Sequence, residues 1–416
     1  MTVTVSWTAA ADRASVPLPG ESMSVLVREA DEPLTGLVLS GGGARAAYQV
    51  GVLKALVELL PEGLTPTNPF PIIVGTSAGA INATALASGA DNFREAVRRI
   101  VAAWENIRPE QVYHTDPWGL GRTGAHWLSA LAFNWLRKRA LAKPRGLLDN
   151  APLAGFLAGL IDPQRINRLL HTGALEALAI SASSYTSGQH VTYYQSHRRI
   201  EPWTRSQRVA IQEDITIEHL LASSAIPFVF PARALPFEGR LEYFGDGSMR
   251  QLSPISPAIH LGASRILVVG VGRLQEPPLQ DPQAEASYPS IAQIAGHALS
   301  SIFLDGLSVD IERLLRINRT LELLPPEGRS HSSLRPVDVL LISPTQRLDE
   351  IAARHVHNLP PMVRALLRGV GATDVRGATL ASYLLFESGY TRELIDLGYA
   401  DTVAKSAEVL RFFGGT

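Results

Sequence analysis

Ser77 stands inside Gly75-Thr76-Ser77-Ala78-Gly79, behind the apolar run Ile72-Ile73-Val74 and ahead of an alanine-rich stretch. That order reads as strand, sharp turn, helix, the setting in which Gly-x-Ser-x-Gly forms a nucleophile elbow. The reason is steric. A serine in a strained turn tolerates only small neighbours, and Gly75, Ala78, Gly79 and Ala80 are small. The turn sets the hydroxyl beside a helix N-terminus, where free N–H groups stabilise developing negative charge. The chemistry implied is nucleophilic attack by the serine. The alternative, a chance pentapeptide, is disfavoured by the flanking strand and helix patterns.

A second strand–loop–helix unit precedes it: Leu37-Val38-Leu39, then Ser40-Gly41-Gly42-Gly43-Ala44-Arg45, then an apolar helical pattern from Ala46 to Leu53. Consecutive glycines let a backbone approach an anion and point N–H groups at it. A phosphate loop is one reading, but the lysine of a P-loop and the dinucleotide spacing are missing. An oxyanion hole is the other, with Gly41, Gly42, Gly43 and Ala44 as its loop. Loss of one such donor typically costs about 3–4 kcal/mol of barrier. Arg45 has three roles open to it: holding the loop, attracting an anionic substrate, or a structural ion pair.

A serine nucleophile needs a base within hydrogen-bond reach. The aromatic run Leu241-Glu242-Tyr243-Phe244 ends in Gly245-Asp246-Gly247-Ser248. A carboxylate between glycines can approach another loop closely. Taken alone, Asp-Gly is more commonly a plain turn. Eleven histidines compete with Asp246, and His190 and His260 are the next candidates.

The elements that must position these groups follow from the pattern. Ala177–Ser184 and His190–Tyr194 read as a hairpin across Thr186-Ser187-Gly188-Gln189. Residues 91–107 have helical spacing of Phe93, Val97, Ile100, Val101 and Trp104, and 109–125 read as a loop. Residues 149–175 hold short helices, and Ile217–Ser224 one more, stopped by Pro227. Arg265–Val271 is a buried strand, and 273–288 a proline-rich loop. A long helical pattern runs from Ile291 to Leu324, Val337–Ile342 is a further strand, and Asp349–Phe413 is helical. Residues 126–145 carry an apolar stripe closed by Arg137, Lys138 and Arg139. An interfacial helix or lid is one reading. A core-packed helix with a solvated basic end is favoured, because apolar stripes usually face cores.

The chain has 416 residues, 46% of them hydrophobic, and a net charge of −1, which argues against nucleic acid as a partner. It has no cysteine, which excludes disulfides, thiolate chemistry and zinc–thiolate sites. Residues 1–20 have neither a basic start nor an apolar core, and no uninterrupted apolar run reaches membrane-spanning length. The expectation is a soluble cytoplasmic protein, with peripheral membrane contact and a homodimer left open.

Gly41-Gly42-Gly43-Ala44-Arg45, Gly75-Thr76-Ser77-Ala78-Gly79 and Asp246-Gly247 together resemble the patatin-like phospholipase family. Two more stretches are similar to it: Ala222-Ser223-Ser224-Ala225-Ile226-Pro227, and Pro254 to Ala263. The resemblance covers roughly residues 35–275. It implies a three-layer α/β/α fold with a mostly parallel central sheet, and lipid acyl hydrolysis by a Ser–Asp dyad without histidine, metal or cofactor. By that carry-over Ser77 is the nucleophile and Asp246 the base, with Arg45 at the family's basic position and lipid as substrate. Two departures stand out: Ala46 where the family usually has glycine, and Ser248 where it has glycine or alanine. The expected division is a lead-in over 1–33, a catalytic domain over 34–275, and a mainly helical extension over 276–416. A catalytically silent lipid-binding protein on the same fold and a nucleotide-binding protein are the rival readings.

Overall fold

The computed structural model describes residues 33–61, 68–115, 146–273, 288–369, 371–372 and 377–414. The lead-in up to residue 32, the basic segment 126–145, the loop 116–125 and the proline-rich 274–287 lie outside these residues.

The described residues form a ten-stranded sheet: β1 (Thr35–Leu39), β2 (Ile72–Thr76), β3 (Ala177–Ser184), β4 (His190–Ser196), β5 (Thr204–Arg205), β6 (Arg208–Gln212), β7 (Arg233–Phe237), β8 (Arg240–Asp246), β9 (Arg265–Val269) and β10 (Asp338–Ile342). Its order is β10-β9-β1-β2-β3-β4-β6-β5, and β8 pairs with both β3 and β7. The five strands from β10 to β3 run parallel, as does β4 with β6. β3 pairs antiparallel with β4 and with β8.

Both faces are covered. Leu37, Leu39, Ile73, Leu178, Ile180, Leu267 and Val269 join one core, and Val38, Ile72, Val74, Ala177, Ala179, Ile266 and Val268 the other. Each strand therefore sends alternate side chains into two helical layers. This explains why β1, β2 and β9 read as continuous apolar runs rather than alternating ones. The first core includes helices α1 (Ala47–Leu59), α2 (Ala78–Ala87) and α3 (Phe93–Glu105). α3 starts on the Asn92 side chain, which accepts from the Glu95 amide. The architecture is the three-layer α/β/α arrangement, and the strand expected near 337–342 joins the same sheet as β10.

One local reading is corrected, and two features add to the rest. Pro109–Val112 forms one helical turn rather than loop, because Pro109 opens the turn and the Gln111 side chain caps the Arg108 amide. β5, β6 and β7 carry no strong sequence pattern of their own. Each is a short strand paired in register with its neighbour, and β7 also buries Leu235 and Phe237 in the first core. The long helical stretch Ile291–Leu323 contains a π-turn at Ser301–Asp305. It is long and apolar enough to span a membrane by length and composition. Phe303, Leu307, Ile311 and Leu314 of that stretch are nevertheless buried against the sheet layers.

The C-terminal helices pack onto α1 at glycine contacts. A Cβ on Gly51 would fall 1.9 Å from the Ile395 carbonyl oxygen, and one on Gly398 2.1 Å from that of Tyr48. The helix Ser388–Ala404 thus lies directly on the α1 backbone. The Tyr48 hydroxyl donates to Asp401 across the same seam at 3.0 Å. Gly51→Ala or Gly398→Ala should therefore cost at least about 2 kcal/mol through overpacking, despite alanine's better helix propensity. Gly155→Ala, with nothing within 4 Å of the added methyl, should stabilise by up to about 1 kcal/mol. Thermal unfolding of the three variants checks the contrast.

Candidate active site

Register brings the candidate residues to one edge. Leu39 lies opposite Gly75, so the glycine loop after β1 and the elbow after β2 emerge side by side. Thr76 lies opposite Ser181 of β3, and the next β3 residue, Ala182, pairs with Asp246 on β8. Asp246 thus arrives beside Ser77 from an antiparallel strand. The edge is the C-terminal end of the parallel strands, where ligands bind in open α/β sheets.

Ser77 adopts φ 56° and ψ −130°, at the junction of β2 and α2. A non-glycine residue in that region is strained, and such strain persists only where surrounding packing enforces it. Gly75 and Gly79 supply the packing. A Cβ at Gly75 would fall 2.4 Å from the Gly79 carbonyl oxygen, and one at Gly79 2.3 Å from that of Leu39. The Ser77 amide donates to the Ser223 hydroxyl at 3.0 Å, fixing the turn from a third direction.

The Ser77 hydroxyl donates to Asp246 Oδ2 at 2.6 Å. The other carboxylate oxygen accepts the Ser248 amide at 2.9 Å. Ser77 is 1% exposed and Asp246 is fully buried, and among the described residues no cation pairs with Asp246. Burial pushes its carboxyl up to about 6, against the opposing pull of the Ser77 and Ser248 hydrogen bonds. Neither alternative base is the hydrogen-bond partner of the Ser77 hydroxyl. Burial drives the His190 imidazole down to about 4, and the His260 ring stacks on Trp203 at 4.6 Å. The hydroxyl's hydrogen bond goes to Asp246.

The glycine loop packs against the same pair. A Cβ on Gly41 would lie 3.0 Å from Ser77 Cβ and 2.3 Å from Ser248 Oγ. The Ser248 hydroxyl thus lies where any side chain on Gly41 would have to go. Gly43 has φ +55°, which favours glycine, and Gly43, Ala44, Arg45 and Ala46 make a single 3₁₀ turn into α1. Ala46 has φ −65°, an ordinary helical value, so its methyl imposes no backbone strain. Arg45 is 4% exposed. Its Nε donates to Ser382 at 2.7 Å, and its guanidinium lies 4.1 Å from the Tyr383 ring centre.

Several supporting residues carried no recognisable sequence signal. Gln49 donates to the Ser40 carbonyl, Asn82 donates to Gln49 and to the Ala46 carbonyl, and Trp104 donates to Asn82. This buried chain ties the glycine loop to α2, and α2 to α3. Gln251 donates to the Thr76 hydroxyl at 2.7 Å. Their one visible trait is polarity within apolar helical runs, at Gln49 and Asn82.

A narrow apolar cavity of about 20 Å³ opens beside Ser77. Gly43, Ala78 and Ile81 line it next to Ser77, and Trp104, Phe230 and Phe386 line it elsewhere. Trp104 and Phe386 stack with ring centres 6.2 Å apart. Among the described residues no His, Cys, Asp or Glu cluster is spaced to hold a metal ion.

The chain belongs to the patatin-like phospholipase family, whose sequence pattern matches residues 37–259. A 56-residue stretch is 54% identical to the lysophospholipase nte1 of Aspergillus terreus, covering 14% of this chain and 3% of that protein's length. Human GIVD cytosolic phospholipase A2 is similar at 13% identity and TM-score 0.42, over 92% of this chain and 62% of that one. VipD of Legionella pneumophila is similar at 14% identity and TM-score 0.27, over 88% and 67%.

Asp246 also has a stability signature. Its folded pKa lies above the ordinary 3.8, so the folded state holds this proton more tightly than the unfolded chain does. The stabilising contribution is complete below about pH 4 and is lost as pH rises through 6. The loss is on the order of 3 kcal/mol. Asp246→Asn should therefore melt at a higher temperature than wild type at pH 8, with the gap closing toward pH 4. Thermal melts across that range check it.

Proposed function

We propose that this protein is a serine acyl hydrolase that cleaves acyl esters of lipids. The observation that carries the reading is the buried 2.6 Å hydrogen bond from the Ser77 hydroxyl to Asp246. It lies in a chain of a phospholipase family, within the matched residues.

Asp246 accepts the Ser77 proton as Ser77 Oγ bonds to the ester carbonyl carbon. The tetrahedral oxygen is held by backbone amides of the Gly41–Ala44 loop. Collapse expels the alcohol, which takes the proton back from Asp246. Water then attacks the acyl-serine carbonyl while Asp246 takes its proton; the tetrahedral intermediate expels Ser77 Oγ, which takes that proton back from Asp246, and the carboxylic acid leaves. A carboxylate is a weak base in water. One whose pKa burial raises to about 6 is a better match to neutral pH.

The apolar cavity supports a lipid acyl group as the part of the substrate nearest Ser77. A pocket of hydrocarbon and aromatic walls favours an alkyl chain by burying its surface, at roughly 0.8 kcal/mol per CH₂. Its narrowness means that Trp104, Phe386 and Phe230 must shift to admit a long chain. The chain's share of its curated relative is small, so head group and acyl position are left to assay.

Three measurements test the proposal. A fluorophosphonate probe should label the wild type and not Ser77→Ala, and p-nitrophenyl ester turnover should fall at least about 10³-fold in that variant. Labelling that survives the substitution removes Ser77 from the mechanism. A wild type that turns over no ester favours a silent lipid binder. The pH profile of kcat/KM should rise through about pH 6 and level above 7, because protonated Asp246 cannot accept the serine proton. A plateau reaching down to pH 4 would exclude Asp246 as the base.

A further inference from the structure

Arg45 follows the glycine loop directly, yet its partners are more than 300 residues downstream. Its Nε donates to the Ser382 hydroxyl, which itself donates to the Thr379 carbonyl at 2.6 Å. The serine proton is thereby committed away from Arg45, and a lone pair faces the guanidinium. Tyr383 offers its ring face to the same guanidinium. That ring stacks on Phe303 at 5.0 Å between centres, and its hydroxyl meets Ser300 at 3.3 Å. The backbone joins in: a Cβ on Gly43 would fall 2.2 Å from the Tyr383 carbonyl oxygen, and one on Gly41 3.0 Å from the Phe303 ring.

The loop is therefore held between two walls. Ser77 and Ser248 form one, and Phe303, Ser382 and Tyr383, all beyond the family-matched residues, form the other. The charge is accommodated too. Burial raises Asp349, but Arg347 and, more weakly, Arg45 outweigh it and hold that carboxyl below its usual range. Asp349 also accepts from the Thr379 hydroxyl, in the turn that orients Ser382.

We infer that Ser382 and Tyr383 are positioning residues for the Gly41–Ala44 loop, acting through Arg45. The inference rests on the hydrolase reading and adds to it that residues past the matched segment complete the oxyanion cradle. Arg45 is then a fastening for the loop and not a receptor for substrate charge. Such a fastening matters because amide donors must meet the developing oxyanion within a few tenths of an ångström. A misplacement of about 1 Å can cost on the order of 10²-fold in rate.

The test uses the full chain with Ser382→Ala, Tyr383→Leu and Tyr383→Phe, followed by p-nitrophenyl ester kinetics, fluorophosphonate labelling rate and thermal melts. Ser382→Ala and Tyr383→Leu should lower kcat tenfold or more, with KM within about threefold of wild type. The labelling rate should fall in parallel, because phosphonylation uses the same amides. Tyr383→Phe keeps the ring under Arg45 and should retain wild-type kcat. If Tyr383→Leu does not fold, Ser382→Ala decides. Wild-type kcat in folded Ser382→Ala overturns the inference, as does a loss confined to KM. If wild type turns over ester and these variants match it, only this inference falls. If wild type neither turns over ester nor takes the label, the hydrolase reading falls and this one with it.

Discussion

A carboxylate sealed from water, with a serine hydroxyl and a backbone amide as its partners, is the constraint around which this molecule is built. Burying an unpaired charge is expensive, and a cation beside it is the usual remedy. Asp246 has none among the described residues. It is held by the Ser77 hydroxyl and the Ser248 amide, and burial raises its pKa instead. In the proposed mechanism a guanidinium there would neutralise the charge and weaken the base, and stability given up at this position is the counterpart of basicity near neutral pH.

Strand register is what makes the contact. β3 is the hub: on one edge it pairs in parallel with β2 and, beyond the end of β2, antiparallel with β8, and on the other edge it pairs antiparallel with β4. A slip of one residue between β3 and β8 would turn the Asp246 side chain to the opposite face of the sheet. The slip is resisted on both sides. Phe244 is buried in the core, and Glu242 is buried and accepts hydrogen bonds from Ser184 and Ser187. The Asp246 amide donates to the Ala225 carbonyl, and that of Gly247 to Ser223, locking the strand end to the segment that also supports the Ser77 amide.

Close backbone approach is the second organising feature. Gly41, Gly75 and Gly79 around the elbow, and Gly51 and Gly398 in the α1 seam, each sit where a methyl would strike a neighbouring atom. The region after β9 is joined to the loop by the same means. β10 extends the sheet, the long helix Ile291–Leu323 brings Phe303 to Gly41, and the helix Ala378–Leu384 brings Tyr383 to Gly43. We therefore propose that residues 276–416 do not work as a detachable appendage but complete the domain that residues 34–275 begin.

What the amino-acid sequence determined on its own was local. The elbow at Ser77, the glycine run at Gly41–Gly43, the Asp-Gly turn at Asp246, the central strands and the family were all legible. Each rests on short-range sterics, on small residues at tight turns and on apolar runs long enough to be buried on both faces. Tertiary structure decided the rest. Ser77 and Asp246 are 169 positions apart, and the strand order that joins them is set by competition among pairings, not by either segment. Arg45 left three roles open because its partners, Ser382 and Tyr383, look like ordinary helix residues until the chain folds back. Gln49 and Asn82 are equally mute in sequence, because a buried hydrogen-bond chain is defined by who faces whom, and that is known only once the layers have packed.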